Sequence, residues 1–92
     1  MSQYKPYQED ELLLDTEELN ENKLVLYNDD VNTFDWVIES LIKVCQHQRE
    51  QAEQCSLIVH YNGRCSVKEG TREKLRPLCE ALHERGLTAN IE

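Results

Sequence analysis

What this 92-residue sequence lacks narrows its function before any motif is read. No apolar run is long enough to span a membrane, and no apolar leader with a cleavage site is present. With only three glycines there is no glycine-rich loop to cradle a phosphate. Four cysteines, Cys45, Cys55, Cys65 and Cys79, stand ten, ten and fourteen residues apart without a C-x-x-C pair. That spacing speaks against a zinc or redox site and for separate core residues, and nothing suggests the disulfide framework of a small secreted domain. A basic surplus is also missing, since ten Lys and Arg face eighteen Asp and Glu for a net charge of -8. Phosphate backbones require clustered positive charge, so nucleic acid is excluded as a partner. The expectation is one soluble, intracellular domain, a cytoplasmic monomer needing neither cofactor nor metal.

The acidity is unevenly placed. Residues 1–22 hold seven acidic side chains against Lys5 alone, whereas the rest holds eleven against nine. Their apolar content is little more than Leu12-Leu13-Leu14, which cannot offset the entropy of ordering so charged a segment. Residues 1–22 therefore read as a mobile acidic extension, with a short helix over about Asp10 to Leu19 as the alternative. Residues 23–92 read as one domain.

Within that domain the hydrophobic period alternates between strand and helix. Lys23 to Tyr27 is β-branched and aromatic enough for a strand. A helix from about Thr33 to Gln46, capped by Asn32 or Asp30, carries an inner stripe of Phe34, Val37, Ile38, Leu41 and Cys45. A second, from about Arg49 to His60, buries Ala52, Cys55, Ser56 and Val59, and Tyr61 to Gly63 form a turn. Arg64 to Lys68 reads as a strand, and a third helix opening at Thr71 buries Leu75, Leu78, Cys79 and Leu82 before stopping at Gly86. Pro77 is expected to kink that helix or delay its proper start to about Arg76. Leu87, Ala89 and Ile91 alternate as a last strand. His47, His83 and the polar run Gln48 to Gln54 are expected at the surface. The order βααβαβ predicts a small α/β (α+β sandwich) fold, three strands with three helices on one face.

Between the first strand and first helix stand three acceptors in a row, Asn28-Asp29-Asp30, which need water, helix N–H groups or a cationic ligand. Taken alone they are a solvated turn, His60 is a helix-end residue, and Phe34 and Val37 are core. Together with the later Leu57-Ile58-Val59-His60-Tyr61-Asn62-Gly63, however, the stretch resembles the ClpS family of protease adaptors from about Lys23 onward. In that family an Asn-Asp-Asp turn and a His in a Val-His-x-x-Gly run form one pocket for the amino terminus of a substrate protein. The resemblance implies the stalk-protein-like sandwich and an N-degron adaptor that is not an enzyme.

The same resemblance assigns Asn28, Asp29, Asp30 and His60 to the substrate's α-amino group, leaving open which aspartate meets it. It places Phe34 at a gate, Val37, Ser56, Val59 and Leu87 in an apolar wall, and Asn32 where a hydroxyl residue usually touches the peptide backbone. The family often has Met at the positions of Phe34 and Ser56, so the floor here is smaller and more polar. The implied partners are N-degron substrate proteins and the N-terminal domain of a bacterial ClpA- or ClpC-type unfoldase working with ClpP. In the family an N-terminal extension is needed to hand substrate over. The competing readings are a scaffolding module of the same fold and a small metal-dependent or acid/base enzyme.

Overall fold

The computed structural model describes residues 22–92. The extension expected over residues 1–22 thus lies outside the described residues except for Asn22, which opens the first strand. The elements are β1 (Asn22–Tyr27), α1 (Phe34–Cys45), α2 (Arg49–Asn62), β2 (Arg64–Gly70), α3 (Arg72–Glu84) and β3 (Thr88–Ile91). The three strands form one antiparallel sheet in the order β2-β1-β3. No helix among the described residues is long and apolar enough to cross a membrane.

Alternation decides which face of the sheet is covered. Leu24 and Leu26 of β1, Val67 of β2 and Ala89 of β3 join Ile38, Leu41, Cys45, Ala52, Cys55, Val59, Leu75, Cys79 and Leu82 in one core. On the opposite face Val25 is also buried, beside polar groups. Tyr27 and Arg64 both donate to the Glu92 carboxylate, the latter at 2.7 Å, and the Arg64 guanidinium lies 5.3 Å over the Tyr27 ring.

Several boundaries differ from the expected ones for definable reasons. Thr33, not Asn32 or Asp30, caps α1, its Oγ1 accepting from the Trp36 amide at 3.1 Å. Phe34 leaves the inner stripe and is 42% exposed, so the buried face of α1 starts at Ile38. Tyr61 and Asn62 are not a turn but the last residues of α2, which ends where Gly63 takes a φ of 93°. β2 continues past Lys68 to Gly70 because its later residues still pair with Lys23 and Asn22. α3 runs unbroken through Pro77, which is exposed, so water can take the Glu73 carbonyl that proline cannot bond. Thr71 fixes its start by accepting from the Lys74 amide at 3.0 Å.

His47 is the clearest departure. Expected at the surface, it is buried, with Nε2 2.7 Å from the Val67 carbonyl. The register between β1 and β2 shifts between Leu24 and Val25, leaving Val67 with no residue opposite. A bulge of this kind frees a backbone carbonyl from the ladder, and His47 supplies the missing donor. His83 is exposed as expected, although its Nε2 lies 2.7 Å from the Ala89 carbonyl.

All four cysteines are free, with Cys45, Cys55 and Cys79 buried and Cys65 half-buried. Burial pushes the Cys45 thiol up to about 11 against the opposing charge of Lys68, and burial with the neighbouring Cys65 thiol pushes Cys55 up to about 12. The thiolate is the reactive form, so at neutral pH iodoacetamide should label half-buried Cys65 before the three buried cysteines, with Cys45 and Cys55 at least about tenfold slower. Peptide mapping of a labelling time course checks this. Equal rates would mean that the packing of α2 against the sheet opens readily.

Candidate functional site

The site begins where β1 ends. The Asn28 amide donates to the Gly63 carbonyl at 3.0 Å, which ties the Asn28-Asp29-Asp30 loop to the end of α2, one turn from His60. The two motifs, separate in the chain, become neighbours through that backbone bond.

Asp29 then folds the loop on itself. Its Oδ1 accepts from the Val31 and Asn32 amides, each at 2.8 Å, and its Oδ2 accepts from Asn32 Nδ2 at 2.9 Å. Partial burial pushes the Asp29 carboxyl up, but the three hydrogen bonds together outweigh it and hold it below the ordinary value of 3.8. Asn32 Nδ2 also donates to the Gly86 carbonyl at 2.9 Å, clamping the loop to the end of α3. Next to it, Trp36 Nε1 donates to the Arg85 carbonyl at 2.8 Å, and the Arg85 guanidinium lies 4.2 Å over the indole. Asp30 has no such engagement among the described residues and is exposed, so its carboxylate can meet a ligand.

Asn28, Asp29, Asp30, Asn32, Phe34, Val37, Ser56, Val59 and His60 line a single open cavity of about 370 Å³. Leu87, expected in the same wall, is instead a core side chain lining only a small void of about 20 Å³ behind Asn32, Val37 and Val59. Its place just before β3 turns it into the core beneath the loop. One lining residue, Thr33, was missed from the sequence, although a Thr directly before the first apolar residue of a helix is a recognisable cap signal. The Phe34 and His60 rings meet with centroids 5.1 Å apart and planes tilted by 54°, and Tyr61 lies edge-on to His60 at 4.8 Å.

The chemistry of the lining is asymmetric. Two carboxylates, two carboxamides and an imidazole face the space beside Phe34, Val37 and Val59, and no Lys or Arg takes part. Such a site suits a ligand carrying a cation and an apolar group on adjacent atoms, because the acceptors can replace the water lost by the cation.

Comparison with known proteins gives the chain a family. The family described as ATP-dependent Clp protease adaptor protein ClpS matches residues 17–90. The ClpS adapter protein of Streptomyces avermitilis is 31% identical over 68 residues, covering 74% of this chain and 65% of that protein. That of Campylobacter jejuni is 46% identical over 41 residues, covering 45% of this chain and 43% of its own length. The chain therefore spans about half to two-thirds of the length of these relatives. Among solved structures, Agrobacterium tumefaciens ClpS2 bound to L-phenylalaninamide shares the fold with a TM-score of 0.69 at 21% identity, covering 80% of this chain and 96% of that one. With a family match across most of its length, the chain belongs to the ClpS family of ATP-dependent Clp protease adaptor proteins.

Proposed function

We propose that this protein binds the free α-amino group and large hydrophobic first residue of N-degron substrates and delivers them to a Clp unfoldase of the ClpA or ClpC type working with ClpP. It acts as a cytoplasmic monomer and catalyses nothing itself. The observation that carries this reading is the one cavity in which Asn28, Asp30 and His60 stand beside the apolar surface of Phe34, Val37 and Val59. An α-ammonium group has three N–H donors and one positive charge. The Asn28 carbonyl oxygen, a His60 ring nitrogen and the Asp30 carboxylate supply three acceptors and the opposite charge. Asp29 stays in the loop, since its oxygens already accept three hydrogen bonds. The L-phenylalaninamide bound by the Agrobacterium protein has this chemistry, a free amine next to an aromatic side chain.

Titration with matched peptides beginning in Leu or Phe, free or acetylated at the amino terminus, tests the reading. The free peptides should bind and the acetylated ones should not, because acetylation removes the charge and most of the donors. Equal binding of both forms, or of neither, would overturn it.

A further inference from the structure

The cavity contains a polar group that nothing satisfies. Ser56 lines it and is only 3% exposed, yet its Oγ has no hydrogen-bond partner among the described residues. Ser40, the other buried serine, shows how a helix commonly accommodates such a hydroxyl. Its Oγ donates to the Trp36 carbonyl at 2.7 Å and accepts from Arg85 Nε at 2.7 Å. Ser56 has neither arrangement. A buried hydroxyl left unpaired is unfavourable, and that penalty is lifted when a ligand brings the missing donor or acceptor.

Position indicates which part of a ligand would do so. Ser56 precedes His60 by one turn of α2, about 6 Å along the helix axis, and residues four apart share a helix face. With an amine held at His60, the root of the first side chain lies near His60 and only its far end comes level with Ser56. Leucine is too short to carry a polar group there. An aromatic ring spans the turn, and a phenol oxygen at its tip can both donate and accept, as the serine hydroxyl can.

We propose that Ser56 reads a hydroxyl at the tip of the substrate's first side chain, so that this pocket prefers amino-terminal tyrosine over phenylalanine. The proposal rests on the amino-terminal recognition put forward above and names the substrate class that the pocket favours. Phenylalanine fills the same apolar space but leaves the Ser56 Oγ unpaired, whereas tyrosine fills the space and pairs it.

The test uses the full chain and Ser56→Ala with otherwise identical peptides beginning in Tyr, Phe or 4-methylphenylalanine, and an acetylated Tyr control. In the wild type, Tyr should bind about threefold to tenfold more tightly than Phe, the range of one hydrogen bond. The 4-methyl ring, close to Tyr in size but without a hydroxyl, should bind no better than Phe. In Ser56→Ala the Tyr advantage should fall to onefold or less. The 4-methyl arm needs no variant, so it stands even if the substitution disturbs folding. A wild-type Tyr-to-Phe ratio of one or below, a 4-methyl peptide as tight as Tyr, or a ratio that survives Ser56→Ala would each overturn the proposal. In those cases free amines still bind, and the acetylated control does not, so amino-terminal recognition stands. If no free-amine peptide binds, that recognition fails and this proposal falls with it.

Discussion

Asp30→Lys is expected to abolish binding of free-amine peptides, by at least about 100-fold at low salt, while the melting temperature stays almost unchanged. The substitution sets a cation against the incoming ammonium group, and such a juxtaposition costs several kcal/mol, where each 1.4 kcal/mol is about tenfold in affinity. Asp30 makes no hydrogen bond among the described residues and is exposed, and changes at such positions usually alter stability by less than about 0.5 kcal/mol. Asp29→Ala should do the reverse. It releases the Val31 and Asn32 amides and half of the Asn32 clamp, a loss comparable to that of a helix cap, about 0.5–2 kcal/mol. For a domain of this size each kcal/mol lowers the melting temperature by about 4–8 °C. The pH dependence has a definite sign. Asp29 is held below its unfolded value of 3.8 when folded, so its contribution is full above that value and disappears as pH falls through the lower, folded one. Acid melting curves of wild type and Asp29→Ala should therefore converge below the ordinary aspartate range. A large loss of stability in Asp30→Lys, or loss of binding only in Asp29→Ala, would exchange the two roles.

Replacing Phe34 with alanine should change which first residues are accepted. Phe34 stands at the mouth of the cavity, 42% exposed and against the His60 ring, where a bulky neighbour meets the part of the ligand closest to the peptide backbone. Ile and Val are branched and stiff at that point, whereas Leu and the aromatic residues branch further out. Wild type should therefore bind peptides beginning in Leu, Phe, Tyr or Trp and reject those beginning in Ile or Val. Phe34→Ala should weaken the accepted peptides by about 1–3 kcal/mol through lost contact while narrowing the gap between Leu and Ile. Anisotropy titrations of the six peptides give both numbers. An unchanged Ile-to-Leu ratio would remove Phe34 from the gate.

The covered face of the sheet was legible from local alternation in the last strand, where Ala89 and Ile91 flank an exposed Asn90, but not in β1, where Leu24, Val25 and Leu26 are buried in a row. The stripe of α1 was legible for the same reason from Ile38 onward. It misled at Phe34, where the helical period continues but the underlying core does not, since the first turn of α1 borders the cavity. His47 could not be placed because its partner is a carbonyl released by a register shift in strands that the sequence does not align. Asn32 reads locally as a cap, whereas its amide group bridges Asp29 and a carbonyl fifty-four residues away. The two motifs named the cavity because each keeps its polar residues contiguous. Leu87, placed in the wall by the family resemblance alone, packs in the core and lines only the small void it shares with Asn32, Val37 and Val59.

The central place of β1 also bears on the order in which the protein can be made. Among the described residues β1 is the first strand synthesised, yet it pairs on one side with β2 and on the other with β3, the last of the three to emerge. The cavity-lining residues, Asn28 to His60, leave the ribosome well before Gly86 can close the loop through Asn32. A nascent chain carrying all the cavity-lining residues thus still has an unpaired central edge, a template for pairing with other chains. Synthesis halted between α2 and β3 should yield aggregation-prone chains rather than half-active adaptors, because long-range pairing is what completes this sheet.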